Sequence, residues 1–214
     1  MDGLEGLKED PNAAYCALSL TNTPEIAKAF VRERQDRVKE LLEAAGITSY
    51  DPGTAPLSPD LNLTAGPAEI YITDLSRVAG ARFFTAFDTF PSTGVGVEIE
   101  AARRYNRIPV IFHDSKIRTS RMQPDCAIHL NIIDLDEQSE RIIALFKLLK
   151  QYEPGRGLID NIPALLGFKD GETVHLTDLV AKEFPELVYQ FDGTKPALLF
   201  GMNNHEVLLA VEKK

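Results

Sequence analysis

Five short apolar runs, separated by segments with helical spacing, constrain this chain more than any other feature. They are AYCALSL (14–20), ITSYD (47–51), RFFTAFD (82–88), IPVIFH (108–113) and CAIHLNI (126–132). Between the first two, EIAKAFVRERQDRVKELLEAAG places Ile26, Phe30, Val31, Val38, Leu41 and Leu42 at helical intervals, and Gly46 supplies a stop. Pro24 suits the first turn of that helix and Thr23 a cap before it. Further helices are expected over about 67–79, 94–106 and 136–152. Strands alternating with helices define an α/β fold, a Rossmann-like or flavodoxin-like parallel sheet flanked by helices.

Such sheets bind ligands beyond the C-terminal ends of their strands. The loops expected there are 19–23, 52–66 and 89–95, together with the segment after His113. The 52–66 stretch, PGTAPLSPDLNLTAG, has little periodicity, and loops of that length serve more often as lids or binding loops than as spacers. EPGRG (153–157) breaks the last helix and reads as a linker. The expected organisation is thus an α/β domain over 1–152 and a small α+β appendage over 158–214. The appendage would hold a helix at LTDLVAKEF and a hairpin, PALLFGMNNHEVLLAVE, turning at Asn203–Asn204.

A net charge of −9 over 214 residues gives no electrostatic footprint for a nucleic-acid backbone. Cys16 and Cys126 both sit in apolar runs and read as reduced core thiols. The N-terminal segment is acidic before its apolar run, unlike a signal peptide, and no apolar run reaches the ~18 residues of a membrane span. A soluble, cytoplasmic protein without membrane contact is expected. His113, His129, His175 and His205 share no ligand spacing, so neither a metal nor another cofactor is expected.

The most informative local stretch is FPSTGVGVEIEAARRYNRIPVIF (90–112), where two glutamates follow a Gly-rich helix start. Glu100 has Arg103 and Arg104 at the following turn, the favoured arrangement for an exposed ion pair. Glu98 has Ala101 and Ala102 at the same offsets and Val95 one turn back, an apolar side where an ionised carboxylate is costly without partners. Two readings remain open: a complement to the helix dipole, or a carboxylate kept in a cleft for nucleophilic work. Ser92, Thr93, Gly94 and Gly96 form a helix start able to receive a phosphate or a sugar hydroxyl. A plain Ser-Thr helix cap gives the same pattern.

PSTGVGVEIEAA followed by NRIPVIF resembles the nucleophile segment of the nucleoside 2-deoxyribosyltransferase superfamily. It is most similar to the branch of 2′-deoxynucleoside 5′-phosphate N-hydrolases, whose segment reads Pro-Ser-x-Gly-Val-Gly-x-Glu. The resemblance spans about residues 14–150. It implies that Glu98 attacks the anomeric carbon of the deoxyribose while the base leaves. It implies that Asp74, at the end of YITD and 24 residues before Glu98, is a second carboxylate. Tyr15 and Ser19 in YCALS fit the first strand and its exit, where the family carries a tyrosine and a phosphate-contacting serine. Ser92 fits the serine of the nucleophile loop, and Ser120 a serine contributed across a dimer interface. The chain departs from the pattern at Leu18, where the family has glycine, and at Thr21, where it has a phosphate-binding arginine. It departs again at Arg82, in place of an acidic residue.

These readings combine into one expectation. The chain would cleave or transfer the N-glycosidic bond of a (deoxy)nucleoside or nucleotide. Glu98, Asp74 and Tyr15 would be catalytic, and Ser19, Ser92, Thr93, Gly94, Gly96 and Ser120 would contact substrate. Its partner would be a small molecule, and the protein a homo-oligomer, a dimer by the resemblance. The alternative is a non-catalytic nucleotide-binding module of the same fold.

Overall fold

Adjacent strands with branched or aromatic residues on both faces can be buried only in the middle of a covered parallel sheet, and that is where β3 lies. A computed structural model describes residues 8–19, 23–58, 61–62, 64–90, 92–114, 127–132, 134–151, 173–187, 190–191, 195–196 and 208–210. In chain order the sheet domain runs β1 (Asp10–Ala17), α1 (Glu25–Ala44), β2 (Thr48–Tyr50), α2 (Pro67–Gly80) and β3 (Ala81–Phe87). It continues with α3 (Thr93–Arg104), β4 (Ile108–Asp114), β5 (Ile128–Ile132) and α4 (Ser139–Lys150). The sheet has the order β2-β1-β3-β4-β5 and all its pairings are parallel. The fold is therefore the expected α/β sheet flanked by helices. Its order reverses direction at β1, which puts the crevice for a ligand beyond the C-terminal ends of β1 and β3.

The pleat divides the core. Ala14, Cys16, Phe83, Val110, Phe112, Ile128 and Leu130 face α1 and α4. Tyr15, Ala17, Phe84, Ala86 and Ile111 face α2 and α3, which supply Leu75, Val78, Ile99, Ala101 and Ala102. β1 starts earlier than its apolar run, because Asp10 is drawn into register with Ala81 across a bulge. It also ends earlier, at Ala17, leaving Ser19 just beyond the strand.

Two local expectations are corrected or refined. Thr23 does not cap α1: Pro24 occupies the cap position, and the Thr23 hydroxyl donates to the Ser19 carbonyl instead. Gly46 does stop α1, with a left-handed φ of 72° that favours glycine. Lys150, at the end of α4, donates to the carbonyls of Gly46 at 2.9 Å and Ala45 at 3.3 Å, satisfying the C-terminus of α1.

Beyond the sheet lie β6 (Thr173–His175), α5 (Leu176–Glu183), a single 3₁₀ turn (Pro185–Leu187), β7 (Gln190–Phe191), β8 (Lys195–Pro196) and β9 (Leu208–Ala210). β9 pairs antiparallel with β6, and β7 with β8. The Asn203–Asn204 turn, the EPGRG linker and Cys126 lie outside the described residues. Leu179, Val180, Phe184 and Leu187 are buried in the same cluster as α1 and α4.

Arg82, the departure noted above, sits at the N-terminal end of β3, the end opposite the ligand crevice. It and Arg107 both pair with Glu9, and Arg82 also donates to the Lys150 carbonyl at 3.0 Å. Removing Glu9 would leave two largely buried guanidinium groups facing each other without their shared anion. Glu9→Ala is therefore expected to cost about 3 kcal/mol, the scale for breaking a buried ion pair. Urea unfolding of the full chain measures it; a loss under about 1 kcal/mol, the scale of a surface pair, would show the cluster to be dispensable.

Candidate active site

Tyr15 is fully buried on β1, with its ring stacked between Tyr50 of β2 at 5.7 Å and Phe84 of β3 at 5.9 Å. Register explains the stack, since Tyr15 is the direct partner of both residues across the sheet. Its hydroxyl donates to Glu98 Oε1 at 2.8 Å, joining positions 83 residues apart. Burial, then the charges of Glu98 and Asp74, hold the phenol proton far above its ordinary pKa, so Tyr15 is a donor at any working pH.

Burial pushes the Glu98 carboxyl up to about 8, the Tyr15 hydrogen bond offsetting part of the rise and the Asp74 charge adding to it. Burial also raises Asp74, and the Tyr15 hydroxyl again lowers it in part. The phenol of β1 thus bonds the Glu98 carboxyl of α3 and lies near the Asp74 carboxyl of α2. The helix geometry read from the sequence holds: Ala101 and Ala102, one turn beyond Glu98, are buried. Glu100 behaves differently. Arg103 donates to both its oxygens at 2.8 Å, Arg104 lies at 3.9 Å, and the Arg103 hydrogen bonds hold its carboxyl below the ordinary value.

Ser92 is the N-cap of α3, accepting from the Val95 amide at 3.3 Å. Its cap role is thus met within the protein. Thr93 opens the helix and is exposed, as are Gly94 and Gly96. A Cβ at Gly96 would meet nothing within 4 Å, and one at Gly94 only Ser92 Oγ at 3.7 Å, so packing within the protein demands neither glycine. Ser19 is 7% exposed, and its hydroxyl has no partner among the described residues. A buried hydroxyl without a partner calls for an explanation, and a bound ligand would supply one. Ser120 lies outside the described residues.

Tyr50 was not read from the sequence as part of this region. Its ring stacks with Tyr15 and has the Arg77 guanidinium over it at 4.8 Å. The only advance signal was an aromatic residue closing the ITSYD run. Among the described residues no group of three His, Cys, Asp or Glu could hold a metal ion. No helix among them is long and apolar enough to cross a membrane.

Fold and site together define an α/β protein with a buried tyrosine bonded to one carboxyl group, and a second nearby, at the switch point of its sheet. No protein-family model and no curated protein matches the chain. Among solved structures it is similar to the Clostridium botulinum CMP N-glycosidase BcmB, at 15% identity over 61% of this chain and 96% of that one, with a TM-score of 0.47. It is also similar to a 2-deoxyribosyltransferase from the psychrotolerant bacterium Bacillus psychrosaccharolyticus, at 17% identity over 59% and 90%, with a TM-score of 0.47. A third is a 2-desoxiribosyltransferase from Leishmania mexicana, at 15% identity over 48% and 65%, with a TM-score of 0.36. Likeness at this level assigns no residue a role.

The raised carboxyl has a consequence for stability. A glutamate whose folded pKa lies above its unfolded value binds its proton more tightly in the folded state. Its contribution is complete below the ordinary glutamate value of 4.5 and is lost as pH rises through about 8. Glu98→Gln removes the titration, so its melting temperature should overtake that of the wild type as pH rises to about 9, with the gap closing toward about pH 5. A difference that stays constant across that range would mean that Glu98 is not held protonated.

Proposed function

We propose that this chain cleaves or transfers the N-glycosidic bond of a (deoxy)nucleoside or nucleotide, with Glu98 as nucleophile. The observation that carries the reading is the 2.8 Å hydrogen bond from buried Tyr15 to Glu98, with Asp74 beside the same hydroxyl. In the ionised form, Glu98 attacks the anomeric carbon and the glycosidic electrons leave with the base, forming a glycosyl ester. Water or a second base then attacks that ester and frees the carboxylate. Two carboxyl groups flanking one phenol resist double ionisation. Asp74 is assigned to position the sugar hydroxyls or to handle the proton for the departing base, and Tyr15 to orient the nucleophile. Ser19, Thr93 and the amides at the start of α3 are assigned to the sugar or a 5′-phosphate.

One observation favours a non-catalytic nucleotide-binding module instead. A carboxyl held near 8 is mostly neutral at neutral pH, and a neutral acid does not attack. Release of free base from a panel of deoxynucleosides and deoxynucleotides separates the two readings.

Glu98→Ala is expected to abolish base release, and Glu100→Ala to leave it nearly intact, because Arg103 and Arg104 engage only the latter. The wild-type kcat/KM should rise with pH until about 8, as the free protein's Glu98 ionises. Equal losses in both variants, with folding confirmed by circular dichroism, would remove Glu98 from its role.

Phosphate preference follows from the donors available. A chain of net charge −9 repels a dianion at long range. Hydroxyls and amides lack the charge and fixed fork geometry of an arginine, which Thr21 replaces. Unphosphorylated deoxynucleosides are therefore expected to bind at least as well as their 5′-monophosphates. Calorimetry with deoxyguanosine and its monophosphate decides the point. A monophosphate binding more than about tenfold tighter, ~1.4 kcal/mol, would reverse the assignment.

A further inference from the structure

The proposed chemistry leaves unused a line of polar groups on the same face of the sheet. His113 of β4 and His129 of β5 are both 0% exposed, with ring centroids 4.7 Å apart and His113 Nε2 bonded to His129 Nδ1. They share that face because His113 has the pleat parity of Ile111, and the register sets His129 opposite Ile111. At the other side of His113, its Nδ1 lies 3.4 Å from Asp88 Oδ2. Asp88 is the first residue after β3, and its amide donates to the Phe112 carbonyl at 3.0 Å. It therefore begins the connection to α3, which Ser92 caps and on which Glu98 rides.

The chemistry of neutral imidazole fixes a direction for this line. Each ring carries one N–H and one acceptor nitrogen. If His113 were protonated on Nε2, its Nδ1 lone pair would face the Asp88 carboxylate, which is repulsive. With the proton on Nδ1, His113 donates to Asp88 and accepts from His129 Nδ1–H. The line then runs in one sense, from His129 to His113 and toward Asp88. A carboxylate selecting the tautomer of a buried histidine is a recognised device for fixing ring orientation. At 3.4 Å the two buried atoms, His113 Nδ1 and Asp88 Oδ2, face each other without a hydrogen bond, so a small side-chain rotation that closes the gap would satisfy both.

We propose that Asp88, His113 and His129 form a directed hydrogen-bond line that holds the entry of α3 and so positions Glu98 against Tyr15. His113 and Asp88 are positioning residues in this assignment, which rests on the reading of Glu98 as nucleophile. The Asp88 amide is bonded to β4, and its carboxylate faces His113 of the same strand. That fixes where the β3–α3 connection starts, and displacement of a reacting group by about 1 Å costs on the order of a hundredfold in rate.

Nitrogen-15 NMR of the full-length protein reads which ring atoms carry protons. The wild type is expected to show both His113 and His129 protonated at Nδ1. In Asp88→Asn the side-chain amide can donate to His113 Nδ1, and both rings are expected to switch to the Nε2–H form. A wild type with Nε2–H on His113 overturns the line. In base-release assays, Asp88→Asn and His113→Gln should lower kcat about tenfold or more with KM little changed. His113→Asn, which keeps a donor where Nδ1–H stood, should stay near the wild type. Equal losses in His113→Asn and His113→Gln would reduce the histidine to packing and overturn the proposal. The two His113 variants carry the test if Asp88→Asn does not fold. If no substrate releases base, the reading of Glu98 fails by itself. The line is then read from the amide resonances of Gly94, Val95 and Gly96, which Asp88→Asn should displace; unmoved resonances overturn it.

Discussion

A largely enclosed carboxyl group with no cation beside it among the described residues governs this structure. Glu9 is matched by Arg82 and Arg107, Asp51 by Lys39 at 3.1 Å and by the Gly53 amide at 2.8 Å, and Glu100 by Arg103. Among the described residues Glu98 receives only a neutral hydroxyl, and Asp74 beside it acts as a like charge. A fold seeking stability alone would pair or remove such a group, since burial favours its neutral form and an unpaired charge costs several kcal/mol. Surplus carboxyl groups held in this way are the usual mark of a functional site. The phenol that holds them is itself fixed by stacking, so the donor's position is set by the sheet rather than by a loop.

The sheet order explains why these groups converge. From β1 the chain steps outward to β2, returns through α2 to β3 on the other side, and continues through α3 to β4. Helices that follow opposite steps land on opposite faces, which leaves α1 and α4 on one side and α2 and α3 on the other. Tyr15 points to the second face at the switch point. The helices entering and leaving β3 then bring Asp74 and Glu98 to it without any long loop.

Much of this was legible in local sequence, because local rules decide it. The contrast between Glu98 and Glu100 follows from what lies one turn on, and Gly46 stops α1 where the periodicity ends. The Ser92 cap was one of two readings that the same residues allowed. What could not be read depends on register between distant strands. The Tyr15–Tyr50 stack requires the β1–β2 alignment, and the contact between His113 and His129 requires that of β4 with β5. Histidines 16 residues apart show no ligand spacing, yet adjacent parallel strands bring them into contact. The place of Arg82 was hidden for a related reason. A departure from the resembling pattern carries no position of its own, and the strand places Arg82 at the far end from the crevice, where Glu9 meets it.

The segment after the sheet domain bears on which face is left for chemistry. Leu179, Val180, Phe184 and Leu187 pack into the cluster formed by α1 and α4. Arg141 of α4 reinforces the contact, lying 4.5 Å from the Phe184 ring centroid and bonding Glu186 and the Glu183 carbonyl. This addition deepens the apolar layer on the face away from Tyr15. The opposite face bears α2 and α3, which still expose Tyr71, Ile72 and Val97. Residues 176–187 thus thicken one side of the sheet, while the Tyr15–Glu98–Asp74 group stays on the other. A partner engaging α5 would meet the side of the sheet remote from those carboxyl groups.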